Sequence, residues 1–140
     1  MKRIRLLFSV SLTILLFTQT FSQEIADKDI PPKENCIKTL IQGINSDNPG
    51  LKAGCIYMIG ELCCDKGVVT LLDILHSNPS EELRILAALS LYKINDSRGI
   101  YAIKRAIKFD ESERVSRLCK TFYKAYLQDK KSGNVYIAVK

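Results

Sequence analysis

Residues 51–75, LKAGCIYMIGELCCDKGVVTLLDIL, and residues 83–107, LRILAALSLYKINDSRGIYAIKRAI, are one pattern written twice at a spacing of 32 positions. Leu51 matches Leu83, Lys52 matches Arg84, Ile59 matches Leu91 and Leu62 matches Ile94. Gly67 matches Gly99, Val68 matches Ile100, Leu71 matches Ile103 and Leu75 matches Ile107. A fixed period of this size marks a repeat architecture, in which each unit buries its apolar face only against its neighbours.

Outward from this core the chain reads as helices joined by short turns. Residues 34–45 carry Ile37, Leu40, Ile41 and Ile44 at i, i+3, i+4, i+7, one apolar stripe. A shift of 31 lays Ile37, Leu40 and Ile44 on Val68, Leu71 and Leu75, so this helix is the second half of a unit. Ser46-Asp47-Asn48-Pro49-Gly50 breaks the chain. A helix over 51–63 follows, with Leu51, Cys55, Ile59 and Leu62 on one inward face, and then one over 67–76. Residues 81–94 are apolar nearly all round, as a helix between two neighbours must be. A fifth helix is expected over 98–109 and a sixth over about 112–128. The sixth is a third, more polar copy, with Val115 on Leu83, Leu118 on Leu86, Cys119 on Ala87, Tyr123 on Leu91 and Tyr126 on Ile94. A polar terminal copy is what caps an array.

Paired helices at a period near 32, with a small residue in mid-helix and a glycine opening the second helix, resemble the HEAT-repeat family. The likeness is to the short bacterial kind also known from phycobilin lyases, and covers residues 34–128. It rests on Asn78-Pro79, Leu83-Arg84, Ala87-Ala88-Leu89 and Asp96; the first copy departs from it, with Lys52 for the arginine and Gly54-Cys55 for the alanines. The resemblance implies an all-α fold, an armadillo-like superhelix (α-solenoid) of about three helix pairs. It also implies contact with other proteins through a helical surface, although the fold serves other functions too.

At 140 residues and 46% hydrophobic content the chain is one domain with a packed core. Lys2, Arg3 and Arg5, the apolar run Leu6 to Phe17 and the stretch Thr18 to Ser22 have the three parts of a secretory signal. Residues 1–22 are therefore expected to be a signal peptide, cleaved to leave Gln23, and the protein to be exported to the periplasm or secreted. Residues 23–33 read as an acidic, flexible leader, residues 129–140 as a loose tail, and nothing after the signal as a membrane span. Without Lys2, Arg3 and Arg5 the net charge falls from +6 to +3. It is uneven: residues 23–97 hold 7 basic and 11 acidic side chains, residues 98–140 hold 11 and 4.

No residue set demands a chemistry, and neither an enzyme nor a bound cofactor or metal is expected. There is no glycine-rich phosphate loop, no carboxylate pair and no Ser/His/Asp set. The one histidine, His76, sits at the far end of its helix from Cys63 and Cys64, about 15 Å away. Cys55 and Cys119 take the position of Ala87 and act as small core residues. Cys36 opens the first helix and Cys63-Cys64 close the second, so antiparallel packing brings Cys36 within reach of a disulfide to Cys63 or Cys64. The other use of Cys63-Cys64 is a thiol-dependent redox role.

The last two helices carry the basic set Arg105, Lys108, Arg114, Arg117, Lys120 and Lys124, of which Arg117, Lys120 and Lys124 share one stripe. Export argues against nucleic acid as its target. A protein partner, through an acidic surface, or an anionic envelope polymer fits better. The reading is a non-enzymatic binding module of the cell envelope. With barely three helix pairs, the domain could also depend on stacking against copies of itself.

Overall fold

The computed structural model describes residues 33–132. The expected signal segment, the leader up to its last residue and the end of the tail lie outside them. The chain forms helices α1 (Lys33–Ile44), α2 (Pro49–Glu61), α3 (Val68–Ser77), α4 (Glu81–Ile94), α5 (Ser97–Phe109) and α6 (Glu113–Ser132). One 3₁₀ turn, Asp65–Gly67, precedes α3, and no strand occurs among the described residues. None of these helices is long and apolar enough to cross a membrane.

Four of the helices, α2, α4, α5 and α6, start where a side chain can satisfy free amides. Asn48 Oδ1 accepts from the Gly50 and Leu51 amides at 2.9 and 3.1 Å. Pro49, which lacks an amide hydrogen, takes the first helical position at no cost. The break expected at 46–50 is therefore shorter, and α2 begins inside it. Ser80 caps α4 through the Leu83 amide, Asp96 caps α5 through that of Arg98, and Ser112 caps α6 through that of Val115. The last helix runs on to Ser132, past the expected end near 128.

The helices form two layers. In one, α2 packs on α4 and α4 on α6; in the other, α3 packs on α5. Helix α4 touches α2, α3, α5 and α6, which explains its all-round apolar character. The fully buried residues Ile56, Ile59, Val68, Leu71, Leu91, Ile103, Val115 and Cys119 belong to one core, in which Ile59 and Leu91, and Leu71 and Ile103, are paired by the 32-residue period. The shared small position is buried in all three copies, as Cys55, Ala87 and Cys119.

Close approach explains the repeated glycine. A Cβ on Gly67 would collide with Ile59, and one on Gly99 would lie 3.0 Å from Leu91 Cδ2, the same contact one repeat later. Gly60 lies against Ser90, where a Cβ would be 2.8 Å from the Ser90 Cα. The Ser90 hydroxyl donates to the Ile56 carbonyl at 2.9 Å, so the one buried polar side chain of α4 is satisfied. The fold is an α-solenoid: successive helix pairs repeat the same packing along one direction.

One expectation is overturned. Leu51 does not face inward with Cys55 and Ile59; it is 51% exposed, since no described helix precedes α2 in its layer.

Candidate interaction surface

In the layer α2–α4–α6 the repeat gives every helix two stripes, a leading one on the side of the next repeat and a trailing one on the side of the previous repeat. The leading stripe of α2 is Ala53, Ile56 and Gly60, and it meets α4 at Ser90. One repeat on, Ile85, Ala88 and Tyr92 lead from α4. Tyr92 stacks on Phe122 of α6, ring centres 6.2 Å apart, and its hydroxyl donates to Asp129 at 2.8 Å. One repeat further the same positions hold Arg117, Lys120 and Lys124. Nothing follows α6 among the described residues, and all three are exposed.

Three cations thus stand where two copies present apolar or small side chains to a neighbour. Burying them against another helix would strip their hydration without a counter-charge, at several kcal/mol per ion. The stripe closes the stack to further helices and leaves a cationic strip open to solvent. Between Glu113 and Asp129 helix α6 carries no acid.

The six cations expected to act together fall in three places. Arg117, Lys120 and Lys124 make the strip. Arg114 is taken by Glu82, its Nη1 donating to Oε1 at 3.0 Å. Arg105 and Lys108 are exposed on α5, in the other layer. Arg105 lines a groove of about 860 Å³ between α3 and α5, with His76, Ala102, Ala106 and Phe109. Lys104, on the same helix, lies over the Tyr123 ring at 5.9 Å.

Sequence reading missed three polar links. Arg84 forks onto Asp110, Nε to Oδ2 at 3.1 Å and Nη2 to Oδ1 at 3.0 Å, and donates to the Asn78 carbonyl at 2.8 Å. Glu61 pairs with Lys93, which also lies 4.9 Å over the Tyr57 ring. The Lys93 ammonium holds the Glu61 carboxyl below its ordinary range, and Glu61 in turn raises Lys93 and, through a hydrogen bond, Tyr57. Glu61–Lys93 and Glu82–Arg114 are both separated by 32 positions, a spacing that could have been searched for opposite charges.

No two of the five cysteines are bonded to each other in the structure. Cys63 has φ +46° and its thiol meets the Lys93 carbonyl at 3.6 Å. Asn95, one repeat later, is the other non-glycine residue with positive φ among those described, at +59°. Cys63 therefore occupies the left-handed position that follows both α2 and α4. Cys64 lies in the core, and Cys36 is half-buried at the start of α1. Burial pushes the Cys119 thiol up to about 12. Beside Cys63, Tyr92, Ile100 and Tyr126 line a second groove of about 540 Å³.

Layered helix pairs, a shared repeat and a charged closing face define a helical-repeat interaction module. The family of HEAT repeats matches residues 37–119, more than half of the chain, and the chain belongs to that family. No curated protein matches it significantly.

Proposed function

We propose that this is an exported, non-enzymatic protein-binding module of the cell envelope, which holds an acidic partner on the strip Arg117–Lys120–Lys124. One observation carries the reading. Three exposed cations occupy a stripe that serves helix contact in the other two copies, and no acid among the described residues answers them. A long-range field of one sign steers and orients a partner of the opposite sign. Export rests on the signal-like residues 1–22. A thiol-dependent role for Cys63 and Cys64 has less behind it, since Cys64 is core and Cys63 holds a helix end.

Capture from envelope extract by mature protein starting at Gln23 tests the reading. One protein should be recovered, and the triple variant Arg117→Glu, Lys120→Glu, Lys124→Glu should lose it. Equal recovery by wild type and variant would remove the strip from the mechanism. Recovery of only diffuse anionic material, released by salt, would replace the dedicated partner with a general surface tether.

A further inference from the structure

The opposite end of the layer is built differently. The stripe that each helix turns toward its predecessor is Leu51, Gly54 and Met58 in α2, Leu83, Leu86 and Ser90 in α4, and Val115, Leu118 and Phe122 in α6. In α4 and α6 these positions are buried or half-buried: Leu83 is 9% exposed, Ser90 1% and Val115 0%, with Ser90 against Ile56 of α2 and Phe122 against Tyr92 of α4. In α2 Leu51 is 51% exposed and Met58 42%. A Cβ added to Gly54, between them, would meet nothing within 4 Å. Among the described residues, the C-terminal end of the layer ends in charge, whereas the α2 end has the pattern of an inner helix and no neighbour.

We propose that two copies of this chain pair through the outer face of α2, Leu51, Gly54 and Met58 against the same residues of the second copy. Continuity with the packing inside the chain is the first argument, because this stripe is the one that α4 and α6 use for helix contact. Charge is the second. From Pro49 to Leu62 the only charged side chains are Lys52 and Glu61, and Glu61 is already neutralised by Lys93. A strongly acidic or basic partner finds no counter-charge here, and a second α2 meets no repulsion. The third argument is exclusion of the other pairing. Head-to-tail stacking would lay this apolar face on Arg117, Lys120 and Lys124 and bury unpaired cations.

The pair is isologous, so it closes at two and does not grow into a fibre. Gly54 leaves a notch between Leu51 and Met58 that takes an apolar side chain of the other helix. One face of a 13-residue helix falls short of the roughly 800 Å² per partner of a standard interface, so the dimer is weak and dissociates on dilution.

Sedimentation equilibrium of the mature chain over a wide concentration range tests this. The weight-average mass should rise from one chain toward two and stop there. Leu51→Glu and Met58→Glu should each hold the protein at one chain, and Arg117→Glu should leave the rise unchanged. Hydrogen exchange of the wild type at low and high concentration provides a reading free of any variant: slowing should concentrate on α2. A monomer at every concentration, species larger than two, a dimer indifferent to Met58→Glu, or concentration-dependent slowing on α6 would each overturn the proposal.

Discussion

Arg84 shows how much one side chain holds together. Its guanidinium ties the start of α4 to the α3–α4 turn through the Asn78 carbonyl and to the α5–α6 turn through Asp110. The two side chains are only 12% and 6% exposed, so the pair is shielded from solvent. Asp110 raises the Arg84 pKa above the arginine value, against the opposing effect of burial. Arg84→Ala leaves Asp110 buried beside a void, and should cost about 3 kcal/mol in urea unfolding. Arg84→Lys should recover only part of this, since an ammonium cannot reproduce the two-pronged contact. Sequence alone placed Arg84 in a motif but gave it no partner, because Asp110 lies 26 positions away in a turn.

Cys119 supports a second residue-scale prediction, on pH. Its folded-state pKa near 12 lies above the ordinary thiol value of 9.0. The neutral thiol is therefore favoured in the folded state. Its stability contribution is whole below about pH 9 and is lost as pH rises from 9 toward 12, where the unfolded chain ionises first. The loss amounts to at most about 1.4 kcal/mol per pH unit. Cys119→Ala copies the side chain that Ala87 places at this position. It should fold, and lose less stability than wild type across that window in urea titrations.

At the scale of elements, the two copies differ at one joint, and two residues explain it. Asp96 caps α5 through the Arg98 amide, so α5 starts at Ser97. Its counterpart Cys64 makes no side-chain cap, and the chain takes a 3₁₀ turn over Asp65–Gly67 before α3 begins at Val68. Just before, Cys63 is held in the left-handed conformation that Asn95 adopts more readily. Cys63→Gly removes the Cβ penalty and should stabilise by about 0.5–1 kcal/mol, against a small loss of the contact to Lys93. A lower midpoint in thermal unfolding would show that the thiol contact outweighs the strain. The pair Cys63-Cys64 drew attention in the sequence as possible chemistry. Its placement follows from the repeat: one residue ends a helix and the next packs into the core.

The architecture was legible because the period fixes which residues face inward. Ile59 and Leu91, Gly67 and Gly99, Leu71 and Ile103 all met the same fate in both copies. Leu51 misled because a repeat names a position and not a neighbour. Its equivalents are covered, and it is not, since α2 stands first in its layer among the described helices. The basic set was half legible for a similar reason. Spacing along α6 put Arg117, Lys120 and Lys124 on one stripe. It could not show that Glu82, one repeat back, takes Arg114, or that Arg105 lies in the other layer beside a groove.

For the whole molecule, the organising idea is a stack closed by charge at α6. Arg117, Lys120 and Lys124 stand at the positions of Ile85, Ala88 and Tyr92, which receive a neighbouring helix. The most direct test restores the inner repeat at the outer end, with the triple substitution Arg117→Ile, Lys120→Ala, Lys124→Tyr. Its mass in solution would be measured by light scattering beside that of the wild type. If charge closes the stack, the variant keeps its helical content and forms larger, concentration-dependent assemblies through α6. A well-folded variant whose mass matches wild type at every concentration would contradict the closing role of the three cations.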